Sequence, residues 1–301
     1  MRIVVTGAGG FVGRALARRL RALDHDVLAT DLTITQGLAG QIGDPALLER
    51  LFAGPVDAVF HLATVAGGAA EAAPDHAWQV NVAATRALID AAARHRPRFV
   101  YASSIAVLGD DLPARVTDGM PPAPRMLYGA HKAMMEQWIA CQSRRGALDG
   151  LSLRLPGIVA RPKAPSGMIS AFMSDLFHAL REGAPFTLPV SPDATMWLLS
   201  RPAVVDAMVH ALSLPAIPAP RCLTLPALRV RMADLVAAIA RATGGDPALI
   251  RHAPQAAIEA GFGRLPELST AMADGLGFRH DGSLPALVEA VLADIQEEEE
   301  R

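Results

Sequence analysis

The stretch RIVVTGAGGFVGRALARRL, Arg2 to Leu20, decides the fold. Arg2 to Val5 is a short apolar run, the pattern of a strand covered on both faces. Thr6-Gly7-Ala8-Gly9-Gly10-Phe11-Val12-Gly13 follows it directly. From Phe11 to Leu23, apolar residues then recur at helical spacing, at Phe11, Val12, Ala15, Leu16, Leu20 and Leu23. A glycine pattern alone is weak evidence. One that leaves a strand and opens a helix is the fingerprint of a dinucleotide-binding turn. Gly7, Gly10 and Gly13 permit a tight turn and close approach of the backbone to a pyrophosphate. Phe11, Val12 and Gly13 then begin a helix whose N–H groups and positive dipole end suit an anion.

The same alternation continues outward. Strands are expected at Val27 to Thr30, weakly near Leu38 to Ile42, and at Val56 to Leu62, Arg98 to Ala102 and Leu151 to Val159. Helices are expected at Pro45 to Ala53, Asp75 to Arg94 and Tyr128 to Arg145. This order predicts an α/β fold, a Rossmann-type doubly wound parallel sheet, with ligands outside the carboxyl ends of its strands. After Arg161, Pro and Gly become frequent (RPKAPSG, REGAP, PVSP). Helices are expected there at Met168 to Arg181, Pro202 to Leu212, Met232 to Thr243 and Leu284 to Glu297. Short strands are expected at Phe186 to Leu188, Met196 to Leu199 and Leu223 to Leu225. The division is therefore a dinucleotide-binding domain over 1–160 and a smaller substrate-binding lobe over 161–301. The division leaves room for some strands and helices of the lobe to return to the first domain.

Composition narrows the function. Lys+Arg 28 against Asp+Glu 30 gives a net charge of -2, without a basic stretch for nucleic acid or a membrane surface. No apolar run reaches the length of a membrane-spanning helix, and the N-terminus reads as a strand rather than a signal peptide. Cys141 and Cys222 are far apart and lack neighbouring ligands at metal spacing, so no metal site is expected and a reducing cytoplasm is the natural compartment.

Several residues carry candidate chemistry. Asp31 closes the second strand eighteen residues after Gly13, where a carboxylate accepts hydrogen bonds from ribose hydroxyls. It would repel a 2′-phosphate, and no arginine follows in Leu32-Thr33-Ile34, so NAD is favoured over NADP. Asp44 either caps the next helix or also meets the adenine. Leu62 and Ala63, at a strand end, offer backbone to line the cofactor, and His61 before them packs in the sheet. Asn81 lies in a helix, within reach of a neighbouring strand. Tyr128 and Lys132 stand four residues apart, on one face of a helix. A free phenol has a pKa near ~10, and a lysine cation beside it favours the phenolate, a base for a hydroxyl proton. Ser103 and Ser104 end the preceding strand; Ser104 is the better candidate to hold the reacting oxygen, with Ser103 its neighbour at the site or a structural residue. No Gly-x-Ser-x-Gly elbow occurs, which sets a serine hydrolase aside.

With TGAGGFVG, Asp31, HLA (His61 to Ala63), YASSIAVLG (Tyr101 to Gly109), YGAHK (Tyr128 to Lys132) and LRLPGIVARP, the chain resembles the extended short-chain dehydrogenase/reductases over nearly its whole length. The resemblance implies Ser104, Tyr128 and Lys132 as a catalytic triad and adds Pro156 to the cofactor contacts. The stretches LRLPGIVARP, PVSPDATMWLLS, LTLPALRV and SRRGALDG resemble the D-erythronate dehydrogenase branch. That implies oxidation of the C2 hydroxyl of a small sugar acid to a 2-oxo acid with NAD. The alternative is an epimerase that retains its NAD. A sugar-acid carboxylate calls for donors, for which Arg161, Lys163 and Arg201 are candidates, with Ser166, Thr195 and Trp197 for hydroxyls or ring cover. The cations and Trp197 have structural alternatives: a solvated charge for each cation, the core for Trp197. The segment Asp110 to Pro124 is either a lid or a long connection. Met134, Met135 and Trp138 form an apolar face, for a homodimer or for packing within one chain.

Overall fold

The computed structural model of the protein describes residues 1–163 and 169–300. The chain divides into two compact units. The first comprises Met1–Gly109, Pro121–Leu155 and Val205–Thr224, and the second Asp110–Met120, Pro156–Val204 and Leu225–Arg301.

In the first unit the elements are β1 (Arg2–Thr6), α1 (Phe11–Ala22), β2 (Asp26–Asp31), β3 (Leu38–Ala39), α2 (Pro45–Leu51) and β4 (Ala58–His61). They continue through α3 (Gly67–Ala72), α4 (Pro74–Trp78), α5 (Thr85–Ala92), β5 (Arg98–Ser104), α6 (Leu127–Arg144), β6 (Asp149–Leu155) and β7 (Cys222–Thr224). The seven strands form one parallel sheet in the order β7-β6-β5-β4-β1-β2-β3. The order reverses between β1 and β4, which opens the crevice where such sheets take ligands. Ile3, Val4 and Val5 are fully buried, which explains why the first strand is apolar without alternation. Val4, Val59, Phe99 and Tyr101 pack with Leu88 and Ile89 of α5 and Met135 and Ile139 of α6. Each such apolar side chain contributes roughly 1.5–3 kcal/mol on burial.

Two expectations change. The long helix over 75–94 is interrupted: a π turn, Gln79–Ala84, separates α4 from α5. Asn81 lies in this turn, and its side chain bonds the segment after β4, a tertiary demand invisible in helical periodicity. The strand expected over 151–159 is two strands: β6 ends at Leu155, and Gly157–Val159 pairs in parallel with Thr195–Ser200. Pro156 stands between them and has no N–H for a ladder.

The second unit has its own core, with Phe172, Leu176, Phe177, Met196, Leu198, Leu235, Ile239, Leu287 and Val291. A three-stranded sheet runs Leu228–Arg231, Thr195–Ser200, Gly157–Val159. Within the segment read as lid or connection, Arg115–Thr117 forms a strand paired in parallel with Glu267–Ser269. Each of these strands has a single apolar residue, Val116 or Leu268, too little pattern to be read from sequence.

Candidate active site

The glycine turn is shaped by close approach. Gly7 has φ of 69°, and a Cβ there would lie 2.6 Å from the Ala63 nitrogen and 2.8 Å from the Leu62 carbonyl carbon. A Cβ on Gly13 would lie 2.0 Å from the Gly7 oxygen, so the helix start and the turn touch. Leu62 and Ala63 donate from their N–H groups to the Thr6 carbonyl and hydroxyl at 3.2 and 3.3 Å, which lays the end of β4 against the turn. Gly10 is the N-cap of α1; it supplies no side-chain cap, and the first turn holds no acid. The positive end of this helix, begun by Phe11 and Val12, thus opens on the glycine turn without an acid in its own first turn.

Asp31, at the end of β2, accepts from the N–H of Gly9 (2.8 Å) and of Leu32 (2.7 Å). Each carboxylate oxygen keeps a lone pair for a further donor. A glycine-rich turn, a helix start without a side-chain cap and a carboxylate at the neighbouring strand end together fit NAD. Asp44 caps α2 through the Ala46 N–H at 3.0 Å. Asn81 accepts from the Val65 N–H (2.7 Å) and the Thr64 hydroxyl (3.0 Å) and donates to the Val65 carbonyl (2.8 Å). Its amide thereby braces the loop after β4.

β5 delivers the two serines to opposite faces, as successive strand residues must be. The Ser104 hydroxyl accepts from the Ala106 N–H at 3.1 Å, which leaves its own hydrogen for another acceptor. Ser103 is 2% exposed, and its hydroxyl donates to Glu136 at 2.5 Å. This corrects the expectation that Ser103 meets substrate: strand alternation turns it toward α6.

α6 carries Tyr128 and Lys132. Lys132 is 2% exposed, donates to the Ala102 carbonyl at 2.7 Å, and lies 4.5 Å from the Tyr101 ring centre and 5.6 Å from that of Tyr128. Burial lowers its pKa to about 7, with the Glu136 carboxylate acting in the opposite direction. Burial also holds His61 neutral, its pKa lowered to about 3, between the hydroxyls of Thr6 (2.6 Å) and Thr85 (2.8 Å).

Three contributors escaped the sequence reading. A Cβ on Gly129 would meet the Ala106 carbonyl oxygen at 2.3 Å, so a glycine after Tyr128 lets α6 close on the turn that follows Ser104. The YG pair was a signal for this. Glu71 of α3 accepts from the Leu127 N–H at 2.6 Å, capping α6 where its own N-cap, Met126, cannot. Glu136, one turn beyond Lys132, receives both Ser103 and Arg154. Only spatial neighbours could reveal the last two.

The other substrate candidates lie in the second unit. Arg201 is fully buried and bidentate to Asp294 at 2.6 and 2.7 Å, with Glu298 at 3.2 Å. This corrects its assignment to substrate: the carboxylates of the last helix, Leu284–Glu299, neutralise the guanidinium. Trp197 is 1% exposed and donates from Nε1 to the Pro266 carbonyl at 2.8 Å, so it is core, not ring cover. Lys163 pairs with Glu182. Arg161 is half-buried, and its carbonyl accepts from His178 at 2.8 Å. Pro156 opens the second unit. Ser166 lies outside the described residues.

The profile of the NAD dependent epimerase/dehydratase family matches residues 3–221, and the chain belongs to that family. It is 35% identical to the D-erythronate dehydrogenase of Cupriavidus necator, over 98% of both chains. It is 32% identical to the D-erythronate dehydrogenase of Haemophilus influenzae, over 84% of this chain and 85% of the relative. Its structure is similar to that of a nucleoside-diphosphate-sugar epimerase from Agrobacterium tumefaciens, with a TM-score of 0.90, 29% identity, and coverage of 99% of this chain and 95% of that one. The protein is an NAD-dependent enzyme with a Rossmann-type sheet. No helix among the described residues is long and apolar enough to cross a membrane.

Proposed function

We propose that this member of the NAD dependent epimerase/dehydratase family is a dehydrogenase that oxidises the C2 hydroxyl of a small sugar acid, D-erythronate or a close relative, to the 2-oxo acid. The observation that carries the chemistry is Lys132, buried 5.6 Å from the ring centre of Tyr128 on one helix. A cation there stabilises the phenolate, so Tyr128 takes the proton of the substrate hydroxyl as a general base. Ser104 holds the same oxygen through the hydrogen its own acceptor bond leaves unused. Bound NAD would supply the acceptor for the hydride from C2. The C2–H pair of electrons leaves with that hydride, the proton leaves through Tyr128, and a C=O bond forms. Both relatives named D-erythronate dehydrogenase support the sugar-acid class. Of the residues weighed for its carboxylate, Arg161 remains a candidate; Ser166 remains one for a substrate hydroxyl.

NADH formation is the test, followed at neutral to mildly alkaline pH with a panel of four- and five-carbon aldonic acids, with NADP in parallel. Rapid reduction of NAD by one acid is expected. Preference for NADP would overturn the reading of Asp31. The structural similarity to a sugar-nucleotide epimerase favours a second reading, retention of NAD without net NADH. Binding of NAD with no reduction by any acid would put that reading first.

A further inference from the structure

The charges around Lys132 can be named element by element. His61 comes from β4, Tyr101 from β5, and Tyr128 and Glu136 from α6 itself, one turn to either side. His61 is neutral at physiological pH because burial lowers its pKa to about 3. Tyr101 is neutral because burial, then Tyr128 and Glu136, raise its phenol well above the ordinary value. Among the described residues, this leaves Glu136 as the carboxylate acting on the lysine.

Glu136 is fixed in place. It is 2% exposed, and Ser103 donates to Oε1 at 2.5 Å. Arg154 of β6 donates to Oε1 from Nε at 3.0 Å and to Oε2 from Nη2 at 2.9 Å. Cys222 of β7 borders the same pair, its thiol raised by burial and by Glu136 and therefore uncharged. Three donors on two oxygens hold the carboxylate on the face of α6 that carries Lys132. Ion pairs this deep add little net stability over an apolar pair, so stability alone is a weak reason for one beside this lysine.

We propose that Glu136 is a positioning residue of the reaction site: its carboxylate, locked by Arg154 and Ser103, keeps Lys132 charged beside Tyr128. The inference rests on the reading of Lys132 as the partner of the Tyr128 phenolate. Burial favours the neutral amine, and a fixed anion one turn away opposes that. Without the anion, Lys132 gives up its proton at lower pH and Tyr128 loses its cation. Arg154, left without its counter-charge, pushes in the same direction.

The chain has two lysines, Lys132 and Lys163, so protein labelled with ¹³C at lysine Cε gives two resonances. The full chain is titrated without substrate, with the Lys163 signal as reference. In Glu136→Gln the Lys132 midpoint is expected to fall by at least about half a pH unit, as loss of one nearby charge should produce. Ser103→Ala removes a hydrogen bond but keeps the carboxylate, and the midpoint should stay in place. If Glu136→Gln does not fold, Glu136→Asp withdraws the charge by one methylene and should give a smaller downward shift. An unmoved Lys132 midpoint in the Glu136 variant overturns the proposal. So does a Ser103→Ala shift of equal size, which would mark the effect as structural. The titration needs no substrate. Failure of every aldonic acid to react would count against the sugar-acid reading and leave this result standing.

Discussion

Arg154 and Arg201 are buried guanidiniums, one in each unit, and each holds a carboxylate in bidentate fashion. The pairs are chemically alike, at 2.9–3.0 Å for Arg154 with Glu136 and 2.6–2.7 Å for Arg201 with Asp294. They differ in what else shares the helix. Glu136 lies on α6, one turn from Lys132 and two from Tyr128, and also receives Ser103 beside Ser104. Asp294 and Glu298 lie on the last helix, where both are occupied with Arg201. The first pair lies beside the groups proposed to react. The second ties Arg201 to the last helix of the second unit. A buried ion pair is thus assigned by its neighbours, not by its geometry.

The sharpest way to break this contrast is at its functional end. Tyr128→Phe removes only the phenol oxygen and should lower turnover by about 10²–10⁴-fold, with NAD affinity and thermal midpoint retained. Steady-state kinetics with calorimetry of the same sample decides it. Retained turnover would remove α6 from the chemistry, and the contrast would collapse.

The structural end is tested by Arg201→Met. It removes the guanidinium that holds the buried Asp294 and the half-buried Glu298 and should cost about 3–5 kcal/mol of stability, read by denaturant unfolding. Turnover per folded molecule should change by less than about twofold, as expected for a residue that makes no contact in the transition state. A large loss of kcat at full stability would restore Arg201 to the substrate site.

A smaller effect comes from a buried base with no carboxylate of its own. His61 is held neutral, its pKa lowered to about 3 from 6.5, between two threonine hydroxyls. The unfolded chain takes up this proton below about pH 6.5 and the folded chain does not, so stability falls as pH drops from about 6.5 toward 3. His61→Gln should flatten the decline of the thermal midpoint between pH 7 and pH 5. Equal slopes in the two proteins would show that the histidine does not contribute.

Much of the first unit was legible because its signals are local. Gly7 to Gly13, Asp31 at the end of β2, and Tyr128 and Lys132 four residues apart fall where strand, turn and helix geometry require. Ser104 faces away from α6's carboxylate while Ser103 faces it, a choice that depends on one residue of strand register. The second unit was less legible. Its strands at Arg115–Thr117 and Glu267–Ser269 are three residues each and pair across a long separation. Arg201 and Trp197 had the right chemistry for a sugar acid, but Asp294 and the Pro266 carbonyl are distant in sequence.

By itself, then, the sequence determined the parallel sheet, the dinucleotide turn and the Tyr–Lys pair. The sheet is written in the alternation of strand and helix along the chain, and the turn and the pair in residues within one or two turns of each other, where backbone geometry leaves few options. Only the tertiary structure decided which serine faces Glu136, which arginine is neutralised by the last helix, and that Glu71 caps α6. Those are partnerships between side chains far apart along the chain. A buried polar group takes whichever partner the packing brings to it.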